Sequence, residues 1–361
     1  MRRSAITSAR PAAKDEYLRA GSSTRLWDGT FLSELRTPRH DLTERPRPFP
    51  VQRNYFHAAA LEESALWLRG VTALEPADCQ RLLQEDVGGF VSWVYPDATA
   101  GQIRVLSDFH HWAVWLDDIM DRRSTADASL AACAVLESVG SAELAPFDDC
   151  LARMRALEMK GRCAERFVHA LHRYGTASRV EVQARQGQSR FSSVADYIAN
   201  RRLSAAMPVY YALIAWISRI DLPDEIFQHP LVVKLENCCS DYSMLYNDAG
   251  SFIKEHLAGR SQGTFVRLLS EELDLPVQQT LLEVADMAAA AADDLEAASD
   301  LIETCDLPAQ QRAQIHHYAD GLRKFAGGVN HWSNNTCRYL IGQPVVDTAA
   351  TSRAGDVHRI R

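Results

Sequence analysis

Long apolar runs are missing from this chain of 361 residues, and so is any surplus of basic charge. The longest stretch without a charged side chain is 203–218, which Pro208 interrupts and which is shorter than the ~20 apolar residues that span a bilayer. The net charge is −8, so the chain lacks the field that attracts nucleic-acid phosphates. We therefore expect neither a membrane span nor a nucleic-acid partner.

Cysteine and glycine motifs are equally scarce. The 8 Cys form no pair spaced for a zinc site or a redox motif, which favours reduced thiols and a cytoplasmic location. There is no glycine-rich phosphate loop and no internal repeat. Alternating strand patterns joined by tight Asn-Gly or Asp-Gly turns are also lacking, which argues against a β protein.

Apolar residues instead recur every three or four positions. Val105, Phe109, Trp112 and Leu116 form one such stripe, and this spacing is typical of an amphipathic helix. The pattern predicts a single all-α domain over residues 54–342. Residues 1–53 carry 11 basic and 6 acidic side chains and are predicted to form a flexible basic arm. Residues 343–361 lack the periodicity and are predicted to form a disordered tail.

Three carboxylates interrupt the aromatic stripe, at Asp117, Asp118 and Asp121. Asp117 and Asp121 lie one helical turn apart, where like charges repel unless a cation lies between them. Carboxylate oxygens suit Mg²⁺, which keeps water or substrate phosphate in its other positions. The alternative is an exposed acidic helix end. We assign a second acidic pair, Asp293 and Asp294, to such a solvated face, because its surroundings are rich in alanine and lack aromatics.

A second polar group lies along another predicted helix. Asn247, Ser251 and Glu255 are spaced four and four, so they form one line on the helix surface. Asn and Ser are poor choices inside a helix, and their oxygens together with a carboxylate suit a magnesium ion that phosphate also holds. A polar seam exposed to solvent is the alternative, but Leu245, Phe252 and Ile253 flank the line.

These two motifs resemble those of the class I terpene synthases, in their microbial single-domain form. Asp117-Asp118-x-x-Asp121 is similar to the aspartate-rich motif, and Asn247-Asp248-x-x-Ser251-x-x-x-Glu255 is similar to the second metal motif. The resemblance implies a helical bundle around a central active-site cavity. It also implies three Mg²⁺ ions, held by Asp117, Asp118, Asp121, Asn247, Ser251 and Glu255. Because Asp118 points another way round the helix, a supporting hydrogen bond is the alternative for it.

The resemblance further implies protein groups that grip a diphosphate. Arg201 lies in the register of the family's diphosphate-sensing arginine, with Ser204 as linker and Ala205 as effector at a helix break. Arg338 and Tyr339 resemble the arginine-tyrosine pair near the family's carboxyl end, and Lys254 lies within the second motif. Arginine suits bidentate phosphate contacts. For Arg201 and Lys254 the alternative is an ordinary solvated side chain.

Aromatic residues are candidates for the wall of a hydrocarbon pocket. Phe325 and Trp332 share a helix face that ends at Tyr339, and Tyr210 and Trp115 lie near the other motifs. Aromatic faces stabilise a cation without acting as a base. The alternative is that these rings are ordinary core. His110 and His111 are interpreted as ordinary helix residues.

The resemblance thus implies an enzyme that ionises a linear prenyl diphosphate and cyclises the carbocation, with farnesyl diphosphate as the expected substrate and a sesquiterpene as the expected product. Geranyl or geranylgeranyl diphosphate stays open as substrate, and so does the choice between a monomer and a homodimer. A chain-elongating prenyltransferase is a second hypothesis, weakened because the second motif is not another aspartate-rich one. A non-catalytic α-helical binding protein is a third.

Overall fold

The computed structural model describes residues 25–30, 49–71, 74–122, 133–134, 145–257, 263–336 and 338. The side chains of Asp121 and Lys254 lie outside the described part, as do Tyr339, most of the predicted arm and the predicted tail. The helices are α1 (His57–Gly70), α2 (Pro76–Gln84), α3 (Val87–Val94), α4 (Ala100–Arg122), α5 (Ala145–Ala156), α6 (Gly161–Arg185), α7 (Val194–Ser204), α8 (Met207–Ile217), α9 (Asp224–Phe227), α10 (Pro230–Leu257), α11 (Phe265–Leu273), α12 (Val277–Asp300) and α13 (Ala309–Asn335).

Helices form the regular structure of the described ranges, which contain no β-strand. The predicted all-α fold is therefore confirmed. No helix in these ranges combines the length and apolar character needed to cross a membrane.

The longest helix of the described residues, α10, has 28 residues and runs for about 42 Å, packed against α12 and α13. The buried face of α12 includes the small side chains of Ala285, Ala288 and Ala292 beside larger ones such as Leu281 and Leu295. Asp293 and Asp294 are exposed, as the alanine-rich surroundings predicted.

Helix α4 is buried on nearly every side and packs against α1, α3 and α5. Its buried Asp108 accepts a hydrogen bond from Ser64 of α1 at 2.7 Å and pairs with Arg153 of α5 at 2.8 Å. Burial raises the pKa of Asp108, and these partners counteract the rise. The carboxylate therefore fixes α4 between two neighbouring helices.

The chain breaks between α7 and α8 at Ala205 and Ala206. Ala206 has φ of +56°, in the left-handed region that a residue with a Cβ enters only at a cost. The Ala206 amide closes α7 by donating to the Leu203 carbonyl at 2.9 Å. Pro208 follows in the first turn of α8, where its missing N–H is tolerated. The family resemblance implied a helix break here, at Ala205.

Six residues of the predicted arm, 25–30, pack against the body and are called the docked segment below. Leu26 is buried with Phe252, Val266 and Leu281. The Trp27 indole donates to Ser270 at 3.2 Å, and its ring meets that of Phe252 edge-on at 5.7 Å. The Val277 amide, at the start of α12, donates to the Asp28 carboxylate at 2.9 Å. This part of the arm therefore belongs to the body, as does Phe49, which is buried in the main core.

Candidate active site

A cavity of about 260 Å³ lies among α3, α4, α6, α7, α8, α10 and α13. Polar and charged side chains line one end, which we call the polar end. Rings from α3, α4, α8 and α13 line the other, which we call the aromatic end. The polar end is lined by Asp117, Tyr174, Glu181, Arg185, Arg201, Asn247, Asp248, Ser251, Glu255 and Arg338.

Asp117 faces this cavity from α4 and accepts a hydrogen bond from the Tyr174 hydroxyl at 3.1 Å. Asp118, about 100° further round the helix, does not line the cavity. It is buried and pairs with Arg81 at 2.5 Å and with Arg338 at 3.6 Å. Asp118 therefore pairs with two arginines and lies outside the cavity lining, whereas the resemblance implied a metal ligand at this position. The Asp121 side chain lies outside the described part.

Asn247, Ser251 and Glu255 all line the cavity from one face of α10. The line predicted from their spacing is therefore turned inward rather than toward solvent. Ser251 is 8% exposed, so its hydroxyl faces the cavity with little access to bulk water.

These donors fit a hard divalent cation. Carboxylate oxygens come from Asp117 and Glu255, and amide and hydroxyl oxygens from Asn247 and Ser251, all on the walls of one cavity. Within the described ranges no group of three or more His, Cys, Asp and Glu has the arrangement of a metal site. A metal here would therefore need the amide and hydroxyl oxygens of α10 as well as carboxylates.

Arg201 connects α7 to the second motif. Its guanidinium pairs with Asp248 at 2.7 Å and donates to the Asn247 side-chain oxygen at 3.2 Å. Burial alone would lower the pKa of Arg201, but Asp248 and Glu181 outweigh it and hold the pKa well above its ordinary value. Tyr197 donates to the other Asp248 oxygen at 3.2 Å. The result is a buried, fixed positive charge beside the α10 donors.

A second arginine reaches the polar end from beyond α13. Arg338 lines the cavity and pairs with Glu85 and Asp118. Tyr339 and the Lys254 side chain, which were predicted to share this role, lie outside the described part.

Helix α6 supplies polar-end residues that the motifs did not predict. Tyr174, Glu181 and Arg185 are spaced seven and four, so they share one face of α6 and line the cavity. Glu181 accepts a hydrogen bond from Ser204 and lies 3.7 Å from Arg201 and from Arg185. This heptad-like polar spacing was the sequence signal that could have revealed them.

The aromatic end includes three of the four predicted pocket aromatics. Tyr210 and Phe325 pack at 4.9 Å, and Phe90 of α3 meets Trp332 edge-on at 5.1 Å. The Trp332 indole donates to the Asp86 carbonyl at 3.0 Å, which fixes the ring. Ser204 and Ala205 also line the cavity.

Two residues of α4 depart from the sequence expectation. Trp115 is buried but does not line the cavity, because its position on the helix directs it into the core between helices. His110, interpreted as an ordinary helix residue, does line the cavity and stacks on Tyr210 at 5.6 Å.

A family model that describes a metal-binding domain matches the part of the chain that carries most of this cavity. The family model described as "Terpene synthase family 2, C-terminal metal binding" matches residues 108–294, just over half of the chain. That range contains both polar motifs, Arg201 and His110.

Two of the proteins similar to this chain are bacterial cubebol synthases. The chain is 29% identical over 313 residues to the 4-epi-cubebol synthase of Streptosporangium roseum, described as (2E,6E)-farnesyl diphosphate cyclizing, with 81% of this chain and 91% of that protein covered. It is 25% identical over 309 residues to the 10-epi-cubebol synthase of Sorangium cellulosum, covering 81% and 96%.

The fold matches those of solved structures. The linalool/nerolidol synthase of Streptomyces clavuligerus superposes with a TM-score of 0.67 at 20% identity, covering 80% of this chain and 99% of that one. This likeness supports the helical architecture.

Proposed function

We propose, for a chain that belongs to terpene synthase family 2, that the reaction is the Mg²⁺-dependent cyclisation of farnesyl diphosphate to a sesquiterpene with release of diphosphate. That the chain is a terpene synthase follows from the family; the metal, the ion count of three and the C15 substrate are the proposal. The observation that carries it is one cavity with oxygen donors and arginines at one end and rings at the other.

The polar end suits a diphosphate and its counter-ions. Asp117, Asn247, Ser251 and Glu255 would hold Mg²⁺, with Asp121 as a further proposed ligand. Bound there, the metal would supply positive charge to the departing diphosphate. Arg201 and Arg338 would donate hydrogen bonds to its oxygens, with Lys254 and Tyr339 proposed in the same role. Because Arg201 is held by Asp248, it is oriented before substrate arrives and loses little freedom on binding.

The aromatic end suits a hydrocarbon cation. Phe90, Tyr210, Phe325 and Trp332 would surround the prenyl chain, and ring faces attract a desolvated cation by about 2 kcal/mol. Burial of these rings keeps bulk water from the cation.

The relatives support the C15 substrate among the alternatives. The 4-epi-cubebol synthase carries farnesyl diphosphate in its description, and geranyl and geranylgeranyl diphosphate remain substrates to test. The hypothesis of a non-catalytic binding protein is set aside, because the family is one of enzymes.

The test is incubation with the C10, C15 and C20 diphosphates, each with and without Mg²⁺ and isopentenyl diphosphate. Phosphate assay measures diphosphate release and gas chromatography with mass spectrometry identifies the products. We expect cyclic C15 products that require Mg²⁺ and do not change with isopentenyl diphosphate. Elongated diphosphates as the main products would instead support the prenyltransferase hypothesis.

Two variants test the polar end directly. Glu255→Gln should weaken Mn²⁺ binding, measured by electron paramagnetic resonance, and abolish diphosphate release while circular dichroism stays unchanged. Unaltered Mn²⁺ binding would contradict the ligand assignment.

Arg201→Lys keeps the charge but loses the fork that spans Asp248 and Asn247, so release should fall about 100-fold. The matched control is Arg202→Lys. Arg202 pairs with Asp241 at 2.6 Å and does not line the cavity, so release should change less than about twofold.

A further inference from the structure

One nitrogen in the aromatic wall has no role in the scheme above. His110 is 2% exposed, lines the cavity from α4 and has rings of Phe90, Tyr95 and Tyr210 within 6 Å of its own. Among the described residues its Nε2 has no hydrogen-bond partner, and it is buried from solvent. A buried polar atom without a partner is costly and rare, so it calls for an explanation.

The other ring nitrogen fixes the tautomer. His110 Nδ1 lies 2.8 Å from the Leu106 carbonyl oxygen, which can only accept a hydrogen bond. Nδ1 must therefore carry the hydrogen. Burial also lowers the pKa of His110 to about 4, so the imidazole is neutral near neutral pH. A neutral ring with its hydrogen on Nδ1 has a bare lone pair on Nε2.

We propose that Nε2 of His110 is the base that ends the reaction, taking a proton from a carbon next to the cationic carbon of the cyclised chain. This proposal rests on the proposed function. The C–H bond breaks, its electron pair becomes the new carbon–carbon double bond, and the proton bonds to Nε2. The imidazolium then returns the proton to the released diphosphate or to water as the product leaves.

The other acceptors that line the cavity are less suited to this step. The carboxylates Glu181 and Asp248 pair with Arg201 at the polar end, and Asp117 and Glu255 are the proposed metal ligands there. Ser243 also lines the cavity, but a hydroxyl is a far weaker base than an imidazole.

The position of His110 explains why it does not trap the first cation. It precedes Asp117 by seven residues on α4, so it lies two turns, about 10 Å, from the polar end. The first allylic cation would form where the diphosphate departs, whereas the His110 ring lies at the aromatic end, beside the rings of Phe90 and Tyr210. A base of low pKa is sufficient, because a carbocation is a far stronger acid than imidazolium.

Two variants of His110 test the proposal. His110→Asn can keep the hydrogen bond to Leu106 while removing Nε2, and His110→Phe keeps a ring of similar size. We expect each to reduce the main alkene of the unaltered enzyme at least about tenfold as a share of product, with diphosphate release within about threefold. Products formed when the cation is quenched at another stage of the cyclisation should replace that alkene.

His111→Asn is the matched control. His111 is equally buried on the same helix, contacts Ser64 and does not line the cavity, so its variant should keep the product pattern. Circular dichroism and thermal unfolding establish that each variant is folded. Tyr95→Phe removes a buried hydroxyl on a ring that lies 5.6 Å from that of His110, and it should also keep the pattern.

An activity-independent measurement follows the nitrogen itself. In protein labelled with ¹⁵N-histidine, the resonance missing from His110→Asn should report a neutral ring with hydrogen on Nδ1. The opposite tautomer would overturn the proposal. So would an unchanged product pattern in both His110 variants, a change confined to Tyr95→Phe, or an alcohol as the sole product of the unaltered enzyme. Absence of diphosphate release from every substrate would instead reject the proposed function.

Discussion

The end of the cavity at which a side chain lies determines which step of the proposed reaction its substitution should affect. Arg201 and Asp117 lie at the polar end, while Trp332 and Phe325 lie at the aromatic end of the same cavity. Under the proposed function, a substitution at the polar end should affect the departure of diphosphate. A substitution at the aromatic end should affect the cation that remains.

Trp332→Leu should alter products more than rate. The change removes one ring from the wall and its hydrogen bond to Asp86, so the chain gains room and loses a cation–π contact of about 2 kcal/mol. We expect more acyclic and monocyclic product, with diphosphate release reduced less than about threefold. Gas chromatography with mass spectrometry measures the first and phosphate assay the second.

Trp115→Leu is the matched control, since Trp115 is as buried as Trp332 but lies outside the cavity lining. It should lower thermal stability and leave the product pattern unchanged. A product pattern that is unchanged in both variants would assign Trp332 to the core alone.

Residue spacing predicted some side-chain positions and not others. Asn247, Ser251 and Glu255 repeat every four residues, and a rigid helix turns that spacing into a shared face whatever surrounds it. Asp118 and His110 depend on what packs against each side of α4. The arginine partners of Asp118 come from α2 and from beyond α13, and no local pattern reveals that pairing.

At the scale of elements, the break between α7 and α8 carries backbone strain. Ala206→Gly should stabilise the protein by about 0.5–1 kcal/mol, because glycine enters the left-handed region freely. Urea unfolding measures the gain. Ala212→Gly, in the middle of α8, is the control and should destabilise by about 1 kcal/mol or more. Loss of stability in both variants would show that Ala206 is not strained in solution.

Helix content was predictable because the three-to-four residue periodicity is a local property of the chain. Helix pairing was not, since the packing of α10 against α12 depends on which side chains meet between two helices that are distant in sequence. The docked segment was missed for the same reason. Its Leu26 and Trp27 look unremarkable in a basic arm until α11 and α12 provide partners more than 200 residues away.

At the scale of the whole molecule, the docked segment should contribute measurable stability. Comparing a chain that starts at residue 25 with one that starts at residue 31 isolates it. We expect the shorter chain to be less stable by about 3 kcal/mol, because Phe252, Val266 and Leu281 lose their cover. Thermal unfolding and binding of an apolar dye report the change. Equal melting temperatures would mean that the segment contributes no stability.

Buried histidines should make the folded state sensitive to acid. Burial lowers the pKa of His110 and His111 to about 4, against an ordinary value of 6.5. Between these values the unfolded chain binds protons that the folded chain does not, so stability is full above pH 6.5 and falls toward pH 4. Each histidine contributes a slope of up to about 1.4 kcal/mol per pH unit.

Urea unfolding at about pH 7.5, 6 and 5 measures this slope. His111→Phe should reduce the histidine contribution by about half. A slope identical to that of the unaltered protein would contradict the assignment of a neutral, buried His111.

One rigid rod, α4, carries Asp117 and His110 two turns apart. During evolution the residues at these two positions of the helix can therefore change independently of each other. On the roles proposed above, related sequences can keep Asp117 while position 110 changes, so the terpene formed can change without loss of the group that starts the reaction. Diversification of this kind needs single nucleotide changes rather than a new scaffold.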